Sequence, residues 1–274
     1  VNLMGDHVDY NDGLVLPMPI SVGTAIAWGP APGGIEAIAL DFEGAIDRFD
    51  RAGLVPHDPA DWRSYLRGMA SILTKRGIPI AGTRLAIAGN IPRGSGLSSS
   101  ASLCVAVGRA LVAAGGHASP SPRELALAAQ AAEHHWAGVH CGIMDQMAIA
   151  VGEPGHAVLL DCRDLSARSF VLPAGWAVLI VQSGVVRELV DGQYNARRQA
   201  CETAARALGM AALRDARRRL LPVGANAERR RSVCAAAAGR GERGSRPRQL
   251  PGPRCRRNQS GSGPGPAGAG SGSC

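Results

Sequence analysis

Apolar positions along this chain follow two patterns. LVLPMPI, VGTAIAW and IEAIALDF, between residues 14 and 42, are short apolar runs broken by Gly and Pro, which predicts a sheet built from hairpins. DWRSYLRGMASILTKRG instead places Trp62, Tyr65, Leu66, Met69, Ile72 and Leu73 at helical spacing, with Gly77 as the stop. TRLAIAGN then alternates as a strand and runs into the loop PRGSG. SSSASLCVAVGRALVAAG follows as a long helix that opens on serines. SPRELALAAQAAEHHWAG predicts another helix, with Ser121 as N-cap, Pro122 at the first position and Glu124 completing a capping box. After CGIMDQMAIAVG, the runs HAVLLDCRDL and WAVLIVQSG read as apolar strands. DGQYNARRQACETAARALG reads as the last helix.

Strands and helices are mixed throughout, so the fold class is α+β (mixed α/β) rather than a doubly wound sheet. From about Ala216 the periodicity ends. Residues 217–274 hold no aromatic residue, no Ile and no Met, and are mainly Arg, Gly, Pro, Ala and Ser, a composition expected to be disordered. It is either a natural basic tail or, since these are residues of GC-rich codons, the product of a shifted reading frame.

Charge sharpens that division. The chain has 30 Lys+Arg against 22 Asp+Glu, net +8, but residues 217–274 hold 13 Arg against Glu228 and Glu242. The first 216 residues are therefore net −3, and the basic character is no sign that the folded part binds nucleic acid. No stretch approaches the roughly 20 apolar residues of a membrane span and no leader opens the chain, so a cytoplasmic protein is expected. Seven scattered cysteines without a C-x-x-C pair argue against a disulfide framework and a zinc site.

Four stretches carry candidate chemistry. In NIPRGSGLSSSAS, Gly94 and Gly96 let backbone approach a ligand and the serines begin a helix whose amides favour an anion, a phosphate cradle; the alternative is a plain linker and cap. In EHHWAGVHCGIMDQMA, Glu133 and Asp145 are carboxylates beside apolar residues, where each needs a partner, a metal or a proton to move; a buried helix-capping Asp is the alternative. His134, His135 and His140 match no zinc spacing and read as packed or surface histidines. GDHVDYNDG suits a sugar, whose hydroxyls need donors and acceptors from several directions, or is an Asx-rich turn. GQYNARRQ, with Tyr194, Arg197 and Arg198, is a binding segment or an exposed basic helix face.

In this order and spacing, VNLMGDHVDYNDGLVLPMPI, PRGSGLSSSAS, CGIMDQ and GQYNARRQ resemble the galactokinase branch of the GHMP small-molecule kinases, over residues 1 to about 216. The resemblance implies an ATP-dependent sugar 1-kinase that phosphorylates galactose at C1. It implies substrate contacts from Asp6, His7, Asp9 and Tyr194, and an ATP-phosphate loop of Gly94, Ser95, Gly96, Leu97, Ser98, Ser99 and Ser100. Ser100 and Glu133 would hold Mg²⁺, and Asp145 would be the catalytic base. Asp6 and Val8 stand where the family usually has Glu and Thr, which leaves the sugar preference open.

The resemblance also implies the domain layout: a GHMP-kinase N-terminal domain over 1–174, the start of an incomplete ferredoxin-like C-terminal domain over 175–216, and the tail over 217–274. The family has an Arg directly before the VNL-type sequence and a glycine-rich third motif later, so impaired activity and aggregation are expected of this chain. The rival readings are a sister kinase for arabinose or N-acetylgalactosamine, a non-catalytic sugar/ATP sensor, and an arginine-rich nucleic-acid binder.

Overall fold

The computed structural model describes residues 1–50, 54–59, 61–92, 94–181 and 193–216. The tail over 217–274, expected to be disordered, lies outside the described residues. All described residues belong to one compact unit, which runs from Val1 to Gly241; the second unit, Glu242–Cys274, contains none.

The apolar runs give β1 (Leu14–Val15), β2 (Thr24–Pro30) and β3 (Ile35–Ala39), and β4 (Ala45–Phe49) follows outside them. Helix α1 (Trp62–Lys75) then leads to β5 (Thr83–Gly89). Asp61 caps α1 by accepting the N–H of Arg63, and Gly77 ends the element at φ +73, where a residue without Cβ is unstrained. Helices α2 (Ser99–Ala114), α3 (Pro122–Trp136) and α4 (Met144–Val151) follow. The expected capping box of Ser121 and Glu124 closes the start of α3. Strands β6 (His156–Asp161) and β7 (Ala167–Val171), then α5 (Gln193–Ala207), complete the order.

The strands form a four-stranded sheet in the order β2-β5-β3-β4 and an antiparallel three-stranded sheet in the order β1-β6-β7. The hairpins expected between the predicted runs do not form: β2 and β3 do not pair, because β5 lies between them, antiparallel to β2 and parallel to β3, and the antiparallel partner of β3 is β4, which no run predicted. The PAPGG turn opens around the start of β5: Ala31 N–H donates to Gly82 O, and Thr83 N–H donates to Gly34 O. A Cβ on Gly34 or Gly82 would lie 2.3 or 2.4 Å from a backbone oxygen, so this insertion requires glycine at both positions.

Within WAVLIVQSG, Trp176–Val181 departs from the expectation, and residues 182–184 lie outside the described residues. Trp176–Val181 belongs to no strand; Trp176 is 77% and Leu179 85% exposed, because no strand lies beside it among the described residues to complete a ladder. β7 was not anticipated, and all five of its residues are exposed.

Ile35, Ala37, Leu85 and Ile87 from the larger sheet pack against Leu66, Met69 and Leu73 of α1 and Val105 and Leu111 of α2. A second core of Val15, Ala126, Ile143, Met147 and Leu160 joins the smaller sheet to α3 and α4. Each of these Val, Leu, Ile and Met side chains contributes about 1.5–3 kcal/mol by leaving water. These cores fix the start of α2, the end of α3 and the start of α4 relative to one another. Among the described residues no helix is long and apolar enough to cross a membrane.

Arginines fasten the 3-10 turn after α5 (Leu213–Asp215) to the smaller sheet and the loop before it. Arg214 forms a two-pronged ion pair with Asp161 and donates to the carbonyl of Asp12. Arg163 bonds Asp12 at 3.4 Å and Asp215 at 2.8 Å.

Candidate active site

The loop after β5 turns on three left-handed residues, Gly94 (φ +67), Gly96 (φ +72) and Ser98 (φ +60). Its foot is held by Asn90 Oδ1, which accepts Gly23 N–H at 2.7 Å, and by Asp41, which accepts Gly89 N–H. Ser95 Oγ donates to Pro92 O at 2.6 Å. Leu97 lines the adjoining cavity and Ser99 is the first residue of α2. No side chain caps α2, so its first amides face the loop's concavity, the electrostatic condition for an anion.

The serines at this helix start reach carboxylates from the other two helices. Ser98 hydrogen-bonds Asp145 in the first turn of α4, and Ser100 hydrogen-bonds Glu133 in the last turn of α3. Glu133 is 2% exposed; burial pushes it up to about 7, against the opposing hydrogen bonds of Gln146 and Ser100. Burial also raises Asp145, offset in part by Ser98. Gln146 Nε2 donates to Glu133 Oε1 at 2.6 Å and to Cys141 Sγ at 3.3 Å. The sequence reading did not single out Gln146; its only signal was its place beside Asp145.

The opening loop supplies the opposite wall. Asp9 starts a short 3-10 helix (Asp9–Asn11), is 8% exposed, and accepts backbone N–H groups that include those of Tyr10 and Met144. Its carboxylate presses on Gly142, where a Cβ would lie 1.8 Å from Oδ2. Tyr10 Oη and His7 Nδ1 are 2.9 Å apart, and Tyr194 stacks edge-on to Tyr10 at 5.4 Å and lies 5.7 Å from the His7 ring. Gly142 N–H donates to Tyr194 Oη at 3.2 Å. His7, Asp9 and Tyr194 are thus brought together, while Asp6 sits exposed at the rim, accepting the Asn2 amide at 2.9 Å.

Asp145 is where the two walls meet: it hydrogen-bonds Ser98 and raises the pKa of Asp9 through its charge. A cavity of about 510 Å³ opens beside it, lined by Val1, Met18, Leu97, Ser98 and Trp28 among others. A second concavity, of about 660 Å³, lies near the foot of the loop between Asp41, Phe42, Asp61 and Trp62, with the two rings 6.3 Å apart. Of the histidines, His134 bonds Cys141 O at 2.8 Å and burial lowers its pKa, so it packs as a neutral ring. Among the described residues no group of three or more His, Cys, Asp or Glu could hold a metal.

Burial, reinforced by the charge of Asp145, raises Asp9 from 3.8 to about 6. The folded chain therefore holds a proton there that the unfolded chain has released, and ionising the buried group costs stability as pH climbs from about 4 to 6. Asp9→Asn is expected to be more stable than wild type by about 2 kcal/mol at pH 7.5, with the gap closing below pH 4. Urea unfolding at pH 7.5 and 4 checks this; equal stability at both values would contradict it.

Two family descriptions match the chain: the galactokinase galactose-binding signature over residues 1–30 and the GHMP kinases N-terminal domain over residues 64–153. Among solved structures, Lactococcus lactis galactokinase complexed with galactose is 29% identical, with TM-score 0.71; the match covers 87% of this chain and 68% of that one. Methanococcus jannaschii mevalonate kinase (20% identity, TM-score 0.51, 62% of this chain and 53% of that one) shares the fold. So does a D-glycero-D-manno-heptose 1-phosphate kinase from Bacteroides thetaiotaomicron (20%, 0.52, 63% and 57%). The signature forms the wall that holds His7 and Asp9, and the GHMP kinases N-terminal domain supplies the glycine loop, Glu133 and Asp145, so the chain joins both parts of a galactokinase-like site on a fold similar to that of a galactokinase.

Proposed function

We propose that the chain is a galactokinase, transferring the γ-phosphoryl group of ATP to the C1 hydroxyl of galactose. The observation that carries this reading is Asp145, tied to Ser98 of the phosphate loop and set beside Asp9 of the sugar-binding signature. A phosphoryl donor in the loop and a sugar against Asp9 and Tyr194 would both face one carboxylate.

In this mechanism the amides of Gly94–Ser100 and the start of α2 neutralise and orient the phosphates. Asp6, His7, Asp9 and Tyr194 bind the sugar hydroxyls. Asp145 accepts the C1 proton as the sugar oxygen bonds to the γ-phosphorus and the bond to ADP breaks, giving galactose 1-phosphate and ADP. Ser100 and Glu133, hard oxygen donors side by side, would hold Mg²⁺. When bound, that ion supplies charge neutralisation at the phosphates. The concavity of Phe42 and Trp62, near the loop's foot, offers an aromatic wall for the nucleotide base.

The test couples ADP release to a sugar panel of galactose, arabinose and N-acetylgalactosamine, with equilibrium binding of each sugar in parallel. Galactose-dependent ADP release is expected. Binding without turnover would favour a sensor, and preference for another sugar would replace galactose as the substrate.

A further inference from the structure

The carbonyl of Cys141 receives three donors from two helices. Gln130 Nε2 lies at 3.2 Å and His134 Nε2 at 2.8 Å, both from α3, and Arg198 Nη1 of α5 lies at 3.3 Å. The same Arg198 nitrogen also donates to His140 O at 3.1 Å, while its Nε pairs with Glu202 at 2.9 Å. Asn195 adds a bracket on the same loop, accepting His140 N–H at 2.9 Å and donating to Gly138 O at 3.0 Å.

In a trans peptide the C=O and the following N–H point in opposite directions. Three donors on Cys141 O therefore aim the N–H of Gly142, which donates to Tyr194 Oη. A phenol has one proton to give and two lone pairs to receive with. With one lone pair occupied by Gly142, and with burial keeping the phenol protonated, the hydroxyl hydrogen is directed away from the peptide. A cation on the carbonyl also polarises the peptide and strengthens the N–H as a donor.

We propose that Arg198 is a positioning residue for sugar binding: by holding the Cys141–Gly142 peptide it fixes Tyr194 as a hydrogen-bond donor toward an oxygen of the sugar. This rests on the galactokinase reading. Arg198 touches neither substrate; it acts through Gly142 and Tyr194. A basic helix face, the plain reading of GQYNARRQ, gives no reason for its guanidinium to face a loop carbonyl that already has two other donors.

A double-mutant cycle on the full chain tests the inference, reading galactose and ATP affinities by calorimetry for wild type, Arg198→Met, Tyr194→Phe and the double variant. Arg198→Met is expected to weaken galactose about five- to tenfold, the scale of one hydrogen bond, with ATP affinity unchanged. The double variant should bind galactose no more weakly than Tyr194→Phe alone. Wild-type affinity in Arg198→Met, losses that multiply in the double variant, or an equal loss of ATP affinity would each overturn the proposal. If Arg198→Met fails to fold, Arg198→Gln, which removes the cation and shortens the reach to the carbonyl, takes its place in the cycle with the same criteria. A wild-type chain that binds ATP but no galactose would instead overturn the underlying function, and this inference with it.

Discussion

Asp145→Asn is expected to lower the rate of phosphoryl transfer to galactose about a thousandfold while changing galactose affinity less than tenfold. The amide is nearly isosteric and can still accept the Ser98 hydroxyl, so the loop and α4 should keep their geometry. What it loses is the ability to take a proton. Because burial raises Asp145, the carboxylate must be ionised against an opposing environment, and wild-type activity should fall as pH is lowered through its titration. Single-turnover assays with saturating ATP and galactose check both statements. A rate for Asp145→Asn within tenfold of wild type would remove Asp145 from the catalytic role.

Gly142→Ala should have the largest effect on the sugar end. The added Cβ would lie 1.8 Å from Asp9 Oδ2 and 2.1 Å from Cγ, and that carboxylate is held in place by backbone donors that include Met144 N–H. Either Asp9 leaves its donors or the 141–143 segment moves, taking with it the N–H that reaches Tyr194. Overpacking of this kind costs about 1–3 kcal/mol of stability. Galactose affinity should fall about a hundredfold, since the wall that holds Asp9 and Tyr194 is displaced. Adding Asp9→Ala should recover the stability, by making room, without recovering the affinity. Thermal unfolding and galactose titration of the single and double variants distinguish these outcomes; a Gly142→Ala protein with wild-type stability and affinity would show that no clash exists.

Much of this site was legible because its signals are local. The capping box of Ser121 and Glu124, the stop at Gly77 and the glycine loop ahead of an uncapped helix are each written within a few residues. The resemblance then tied these signals to residues that the fold does bring together: His7, Asp9 and Tyr194 on one wall, Ser98, Ser100, Glu133 and Asp145 on the other. Asp6 remains at the rim, against Asn2, so its role toward the sugar stays a proposal. Gln146 carries no signal because a Gln beside an Asp has no pattern of its own, and GQYNARRQ points to Arg198 without showing which carbonyl it would hold.

The strand errors have the same origin. WAVLIVQSG has the composition of a strand, yet a strand needs a neighbour for its backbone groups, and apolar composition does not supply one. β2 and β3 are consecutive but separated by β5, an arrangement that Gly34 and Gly82 permit and no periodicity announces.

The sequence by itself therefore determined that α1, α2, α3 and α5 are helices, where α1 and α3 begin and stop, and that a glycine loop opens α2, since propensity, capping and glycine geometry act over a few residues; it did not determine that CGIMDQMAIAVG forms α4. Only the tertiary structure decided that Asp9 presses on Gly142, that Ser98 meets Asp145, and that three side chains converge on one carbonyl to aim Tyr194. Those contacts join residues far apart in the chain, and the packing of two cores, not any local preference, brings them within bonding distance.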